Sequence, residues 1–203
     1  MARIGPNAIT RLAEAAADQL GHAACDRLFQ QAGLAAYRQA PPERMVEEAD
    51  VVSLHRALTA LHPDRATRVA ADAGVRTARY LLAHRIPGPA QRILRLLPPG
   101  LAARVLIAAI GKHAWTFAGS GRFQARPDHG MAISIDGGPF TEAGPAAASL
   151  TAFYETVFET LFRTLVSTRA RIGHTEQAGH ACRFALVWAR PAAGLNPVRA
   201  AHG

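Results

Sequence analysis

The spacing of apolar residues changes once along this chain, at residues 111–123 (GKHAWTFAGSGRF), and this change constrains the fold more than any other feature. Before this segment, apolar residues recur every three or four positions between prolines and glycines, which is typical of amphipathic helices. After it, apolar and polar residues alternate in short segments, as they do in half-buried strands. The sequence therefore predicts a helical amino-terminal half, and strands only from this segment onward.

The order of the predicted elements indicates the fold class. Helices are predicted at residues 6–21, 22–32, 43–61, 64–85, 90–97 and 101–112. Strands at 114–123 and 131–136 form a first hairpin. A long helix capped by Ser149 follows, and strands at 169–177 and 181–189 form a second hairpin. We therefore expect an α+β protein, with a helical layer packed on an antiparallel sheet of about four strands, in which a long helix separates the two hairpins.

The length and the cysteines narrow the class of protein. The 203 residues fit one domain, which we place at residues 1–190, with a polar tail at 191–203. Cys25 and Cys182 are far apart and match no disulfide framework or zinc motif. The amino terminus has no signal-peptide core, and the most apolar run, residues 101–110, is shorter than the roughly 20 residues that span a bilayer. We expect a cytoplasmic protein that does not cross a membrane.

The net charge of +8 indicates anionic partners. Of the 23 basic residues, 22 are arginines, and they are scattered along the predicted helices rather than grouped in basic runs. This scatter argues against nucleic acid. Ligands that carry carboxylates, and peripheral contact with an anionic membrane surface, are the partners that the charge favours; a homodimer stays open.

Residues 111–123 are also the best candidate for the wall of a binding site. If the segment after Ala114 is a strand, alternate side chains fall on one face. That face would carry a histidine, aromatic rings and glycines at which a flat ligand can approach the backbone: His113, Trp115, Phe117, Gly119, Gly121 and Phe123.

No motif for an enzymatic cofactor is visible. The chain has no GxGxxG between a strand and a helix, no P-loop, no nucleophile elbow and no cysteine spacing for an iron–sulfur cluster. A reductase needs a hydride or electron donor, and no residues here indicate a site for one. We therefore predict no catalytic residue and no intrinsic cofactor.

Two groups of residues can bind a metal, and each has a simpler explanation. His113 can be the axial ligand of a metal in a flat macrocycle. It can equally stabilise the helix end on which it lies, by roughly 0.3–1 kcal/mol when charged. His174 and Cys182, with Glu176 and His180, form a second cluster at the last hairpin. Solvated hairpin side chains beside one buried cysteine explain that cluster as well.

Four segments of the chain are distinctive: GPNAITRLAEA near the start, YLLAHRIP at residues 80–87, AIGKHAWTFAGSG at 109–121 and ACRF at 181–184. Together they resemble the bacteriochlorophyll 4-vinyl reductase family, within the wider 4-vinyl reductase domain group. The resemblance implies an α+β fold related to a haem-based nitric-oxide sensor and to a vesicle-tethering subunit. It also implies a part in making bacteriochlorophyll from magnesium porphyrins.

The resemblance and the missing cofactor motifs together favour a protein that holds a tetrapyrrole intermediate, of the Mg-porphyrin or chlorophyllide type, and delivers it to pathway enzymes. Aromatic side chains, among them Phe158 and Phe162, would cover its faces, and His113 would ligate its magnesium. Arg122 and Arg85 would pair with its carboxylates. Two alternatives are a 4-vinyl reductase that uses an external electron donor, and a docking subunit for the magnesium chelatase large subunit or the Mg-protoporphyrin methyltransferase.

Overall fold

The computed structural model describes residues 2–127, 131–178 and 180–187, with the backbone alone described at Pro127 and residues 174–178. Trp188 and the predicted tail at 191–203 lie outside the described residues. Within the described part, helices precede a four-stranded antiparallel sheet, and one long helix lies between its two hairpins. The predicted α+β class is therefore confirmed.

The helical layer is formed by seven helices in sequence. They are α1 (Asn7–Leu20), α2 (His22–Gln31), α3 (Ala36–Gln39), α4 (Glu48–Leu61), α5 (Pro63–His84), α6 (Gly88–Leu96) and α7 (Pro99–Lys112). Proline begins α5 and α7, where its missing N–H would have had no helical acceptor. Gly21, at a φ of 89°, lets the chain turn between α1 and α2.

Helix α8 (Ala147–Leu165) is the centre of the fold, packed on α5 and on the sheet. Small residues bring α5 and α8 close together. A Cβ on Gly74 would collide with the Thr156 hydroxyl and the Phe153 carbonyl oxygen. The Thr156 hydroxyl instead donates a 2.8 Å hydrogen bond to the carbonyl of Ala71 on α5. The close approach buries the broad apolar stripe of α8 on both sides.

The sheet contains β3 (Arg122–Pro127), β4 (Met131–Asp136), β5 (Arg171–Ala178) and β6 (Ala181–Val187), in the spatial order β3-β4-β6-β5. The alternation predicted for β4 and β6 is confirmed, because every second residue is buried. Opposite one another across the two strands lie three buried pairs: Met131 with Leu186, Ile133 with Phe184, and Ile135 with Cys182.

Two local predictions are wrong, and one small sheet was missed. The strand predicted at 114–123 begins only at Arg122. Helix α8 begins before Ser149, whose hydroxyl contacts a buried histidine instead of capping the helix. A small sheet of β1 (Arg3–Ile4) and β2 (Val46–Glu47) was not predicted, because two-residue strands leave no alternating pattern.

Candidate functional site

The segment between α7 and β3 is a series of tight turns rather than a strand. The N–H and the hydroxyl of Thr116 both donate to the carbonyl of His113, at 2.9 and 2.7 Å. Residues Ala114–Thr116 form a 3₁₀ turn, and the N–H of Ala118 donates to the carbonyl of Ala114 at 2.7 Å. Local acceptors satisfy the backbone here, so the alternate side chains do not share one sheet face as predicted.

This segment joins the helical layer to the sheet. The N–H of Gly5, next to β1, donates to the carbonyl of Thr116 at 2.7 Å. The hydroxyl of Tyr154 on α8 donates to the carbonyl of Phe117, also at 2.7 Å. Because burial removes the phenol from water, the pKa of Tyr154 is raised, and its hydroxyl stays a proton donor. We call residues 113–121, held by these contacts, the joint.

Glu48, at the start of α4, fixes the far end of the joint. Its carboxylate accepts the backbone N–H of Ser120 at 2.7 Å and the hydroxyl of the same residue at 3.1 Å. Gly119 has a φ of 59°, and a Cβ there would collide with the Glu48 carboxylate. The glycine therefore makes room for this carboxylate, where the sequence predicted room for a flat ligand.

Gly121 also makes room for the chain itself. A Cβ on Gly121 would lie 2.9 Å from the backbone nitrogen of Gly138 and 3.0 Å from the carbonyl oxygen of Ala118. Gly138 follows β4 and has a φ of 60°. Both glycines of the Gly119-Ser-Gly121 sequence thus serve the packing of the joint, and neither presents open backbone.

The aromatic rings near the joint contact one another and fill the space between them. Phe117, Phe123 and Phe158 have ring centroids 5.6 to 6.3 Å apart. Phe158 and Phe162 are buried, whereas Phe117 and Phe123 are half-buried. Phe117 and Phe123 therefore keep part of their surface in solvent, whereas Phe158 and Phe162 belong to the core.

His113 and Trp115 are the joint residues whose side chains the fold leaves in water. His113 follows the last residue of α7 as its C-cap, and it is exposed. Trp115 lies in the 3₁₀ turn with 63% of its surface exposed. The joint uses the backbone of this segment, and both side chains remain available to a ligand.

The two arginines predicted to bind carboxylates lie in different places. Arg122 is exposed at the first position of β3, directly after the joint and opposite Asp136 in the register of β4. Arg85 is the exposed C-cap residue of α5. Among the described residues, neither arginine shares a hydrogen bond or ion pair with the joint; Arg122 directly follows the joint in the chain, whereas Arg85 ends α5.

The second predicted metal cluster is only partly described. Cys182 is fully buried, and its sulfur lies 3.5 Å from the Thr151 hydroxyl. Burial raises the pKa of this thiol to about 11, which disfavours the thiolate that binds metals. The backbone of His174 pairs with Phe184, but its side chain lies outside the described residues. In the part that is described, no group of three histidine, cysteine, aspartate or glutamate side chains could hold a metal ion.

A buried contact between a histidine and a serine was not predicted. Nδ1 of His55 on α4 lies 2.7 Å from the hydroxyl of Ser149, and Nε2 has no hydrogen-bond partner among the described atoms. The side chain is fully buried beside Phe153, which lowers its pKa to about 3. Its position on the buried stripe of α4, with Leu54 and Leu58, was the available signal.

The two clefts described lie away from the joint. One, of about 280 Å³, is lined by α2 and α4 at Gln31, Ala32, Ser53, Arg56, Ala57 and Ala60. The other, of about 570 Å³, is lined by Tyr37 and residues 40–46. Neither contains a residue of the predicted site, so the candidate site is the exposed surface of the joint at His113 and Trp115.

Among the described residues, no helix has both the length and the apolar character that crossing a membrane requires. The longest, α5, carries charged side chains throughout its length, and α7 has only 14 residues.

Comparison with known proteins gives the family and the fold. No family model matches the chain. The chain is 40% identical over 188 residues to a bacteriochlorophyll synthase 23 kDa chain of Cereibacter sphaeroides, covering 91% of this chain and 90% of the relative. It is 38% identical over 187 residues to the protein of the same name from Rhodobacter capsulatus, covering 91% and 86%.

A solved structure from work on haem distortion in the H-NOX family aligns with 96% of this chain and 100% of its own, at a TM-score of 0.56 and 9% identity. At that identity the likeness shows a shared fold alone, and it agrees with the predicted relation to a haem-based sensor fold. The sequence relatives, matched over nearly their whole length, show the family: this chain belongs to the bacteriochlorophyll synthase 23 kDa chains.

Proposed function

We propose that this protein takes part in bacteriochlorophyll biosynthesis by binding a tetrapyrrole intermediate and presenting it to pathway enzymes. The family supports the pathway, because relatives of about 40% identity over most of both chains are bacteriochlorophyll synthase chains. The fold supports a rigid base for such a site, since the joint fixes the end of α7 through three other elements.

One observation carries the proposal: the fold uses the backbone of the joint and leaves its imidazole and indole in water. A side chain that the fold leaves exposed is available for binding, and tryptophan is among the residues most enriched at the centres of binding surfaces. The indole of Trp115 offers a flat apolar surface to a macrocycle, and the imidazole of His113 offers a nitrogen to its metal.

The residues around this pair suit the rest of such a ligand. Phe117 and Phe123, two and eight residues after Trp115, are half-buried rings in contact with one another, and they can add apolar surface to the site. Lys112 and Arg122 flank the joint and are both exposed, so that they can pair with the carboxylates of a tetrapyrrole. Phe158 and Phe162 belong to the core and do not touch the ligand.

Titration with Mg-protoporphyrin tests this proposal. The purified protein should shift the Soret band of the pigment and lose tryptophan fluorescence as pigment is added. His113→Ala should change the position of the Soret band, because the axial ligand of the magnesium is lost. Trp115→Phe should remove the larger part of the quenching, since Trp188 supplies the remaining signal.

His22→Ala is the matched control, because His22 is exposed at the start of α2, away from the joint. No Soret shift with the wild-type protein, or the same spectrum for His113→Ala and His22→Ala, contradicts the site. A further arm adds NADPH and a divinyl substrate to the purified protein alone. Consumption of that substrate would replace delivery by reduction as the function.

A further inference from the structure

Residues 73–127 contain nine basic side chains and no acidic one, and the 15 carboxylate side chains all lie before or after this segment. The exposed apolar side chains concentrate in the same place. Among the described residues seven large hydrophobic side chains are exposed, and five of them belong to this segment: Ile93, Leu96, Leu101, Val105 and Trp115. Four of the nine basic side chains and four of the five exposed apolar ones lie on α6 and α7, and these two helices carry no carboxylate.

One set of side chains attaches helix α6 to the rest of the protein, and a different set faces the solvent. Leu94 is buried, and the Gln91 amide donates to the carbonyls of Leu82 and Ile86 at 2.6 and 2.9 Å. Arg95 donates to the carbonyl of Thr164 on α8 at 3.2 Å.

None of these contacts uses the apolar side chains on the outside of α6. Ile93 and Leu96 lie one turn apart and are 59% and 85% exposed. Arg92 is exposed next to them. The helix is therefore fixed on the protein with an apolar and cationic side turned to solvent.

Helix α7 repeats this arrangement. It buries only Ala102, Ala103 and Leu106 of its 14 residues. Leu101 and Val105, also one turn apart, are 48% and 45% exposed, and Arg104 lies exposed beside Val105. A helix that is apolar on most sides is usually enclosed, so the outer side of α7 lacks the covering that its composition calls for.

We propose that Ile93, Leu96, Leu101 and Val105, with Arg92 and Arg104, form a surface that docks peripherally on an anionic lipid membrane. We call these six residues the α6–α7 face. Leucine, isoleucine and valine side chains enter the boundary between headgroups and acyl chains, while arginines pair with lipid phosphates. This role goes beyond tetrapyrrole binding and does not require it, because neither His113 nor Trp115 belongs to the face.

The charge of the α6–α7 face favours a membrane over a second copy of the chain as its partner. A two-fold dimer through the α6–α7 face would bring the arginines of the two copies together, and the six residues of this face include no carboxylate to pair with them. An anionic bilayer supplies both the apolar phase and the negative charge that this face lacks.

Co-sedimentation with vesicles tests the proposal. The wild-type protein should bind vesicles of equimolar phosphatidylcholine and phosphatidylglycerol, and salt should weaken this binding. It should bind pure phosphatidylcholine far less. Ile93→Gln/Leu96→Gln should lower the partition coefficient at least about tenfold, because two apolar side chains that would enter the bilayer are replaced by polar ones. Arg92→Gln and Arg104→Gln should each lower it about fivefold.

Leu61→Gln is the matched control, since Leu61 is also exposed but ends α4 outside the acid-free segment. It should bind like the wild-type protein. In a Trp115→Phe background, Leu96→Trp should show a blue shift of fluorescence on the anionic vesicles, as an indole entering the bilayer does.

Three results would overturn the proposal: no binding of the wild-type protein to anionic vesicles, equal binding by Ile93→Gln/Leu96→Gln, or conversion of a dimer into a monomer by that variant. The substituted side chains are exposed, so circular dichroism should be unchanged. The two roles fail separately. Ile93→Gln/Leu96→Gln should keep the Soret shift with Mg-protoporphyrin, and His113→Ala should keep vesicle binding.

Discussion

Helices α7 and α8 are both strongly apolar, yet the fold treats them in opposite ways. Helix α8 buries 11 of its 19 residues between α5 and the sheet, whereas α7 buries three of 14. Composition is therefore not what decides enclosure. Helix α8 has a packing layer on each side, but α7 ends at the joint and contacts the edge strand β3. The difference separates the part of the molecule that supplies stability from the part that is free to bind.

The largest effect should come from truncating an aromatic ring of α8. Phe158→Ala removes a buried ring that contacts Phe117, Phe123 and Phe184, and we expect it to lower the free energy of unfolding by about 3–5 kcal/mol. Val105→Ala on α7 should change it by less than about 0.5 kcal/mol, because the side chain is half in water. Urea denaturation measures both. Similar losses in the two variants would abolish the contrast between the helices.

The buried histidine of α4 should make the stability of the protein sensitive to acid. His55 has its pKa lowered to about 3 from 6.5 because burial disfavours the charged ring. Below pH 6.5 the unfolded chain takes up a proton that the folded chain does not, so stability falls by about 1.4 kcal/mol for each pH unit down to the folded pKa. We expect His55→Asn to remove this part of the acid sensitivity, although it leaves the Ser149 hydroxyl with a poorer partner.

The measurement is the free energy of unfolding between pH 7 and pH 5, about one and a half units below the ordinary histidine pKa. His22→Asn serves as the control, because it replaces an exposed histidine at the start of α2 and leaves His55 in place. Parallel slopes for the wild-type protein and His55→Asn would mean that His55 is not buried in its neutral form.

The joint should respond to one added methyl group. Gly119→Ala forces a left-handed backbone on alanine and drives away the Glu48 carboxylate, whereas Gly33→Ala meets the same backbone cost at a φ of 74° with open space around it. The difference between the two variants should be about 1–3 kcal/mol, the contribution of the hydrogen bonds from Ser120 to the carboxylate. In a Glu48→Ala background this difference should vanish. If it persists, the cost at Gly119 has another source.

How much of this could be predicted from the sequence differs between the two regions. The stripe of α8 and the alternation of β4 and β6 are local patterns, and the structure follows them. The joint is different. His113, Trp115 and Phe117 alternate as the residues of a strand do, but the segment forms turns because its N–H groups donate to carbonyls within the same segment. Its outer contacts come from Gly5, Glu48 and Tyr154, and no spacing rule connects positions so distant in the chain.

The same limit applies to the candidate site. The sequence predicted His113, Trp115 and Arg122 as ligand-binding residues; the structure shows that all three are exposed, and their role in binding stays a prediction. It also placed Phe158 and Phe162 in contact with a ligand, because an apolar stripe has the same pattern whether it lines a cavity or fills a core. Only packing distinguishes the two, and here the rings fill the space.

The smallest effect on stability should occur at the two residues that we propose to bind the ligand. His113→Ala and Trp115→Ala remove side chains that lie in water, while the hydrogen bonds of the joint all involve the backbone at these positions. Each should change the free energy of unfolding by less than about 0.5 kcal/mol. Each should nevertheless weaken the response to Mg-protoporphyrin. If either variant lowers the free energy of unfolding by several kcal/mol, the side chain contributes to the packing of the joint. The joint would then resemble the buried helix α8 more than the exposed helix α7.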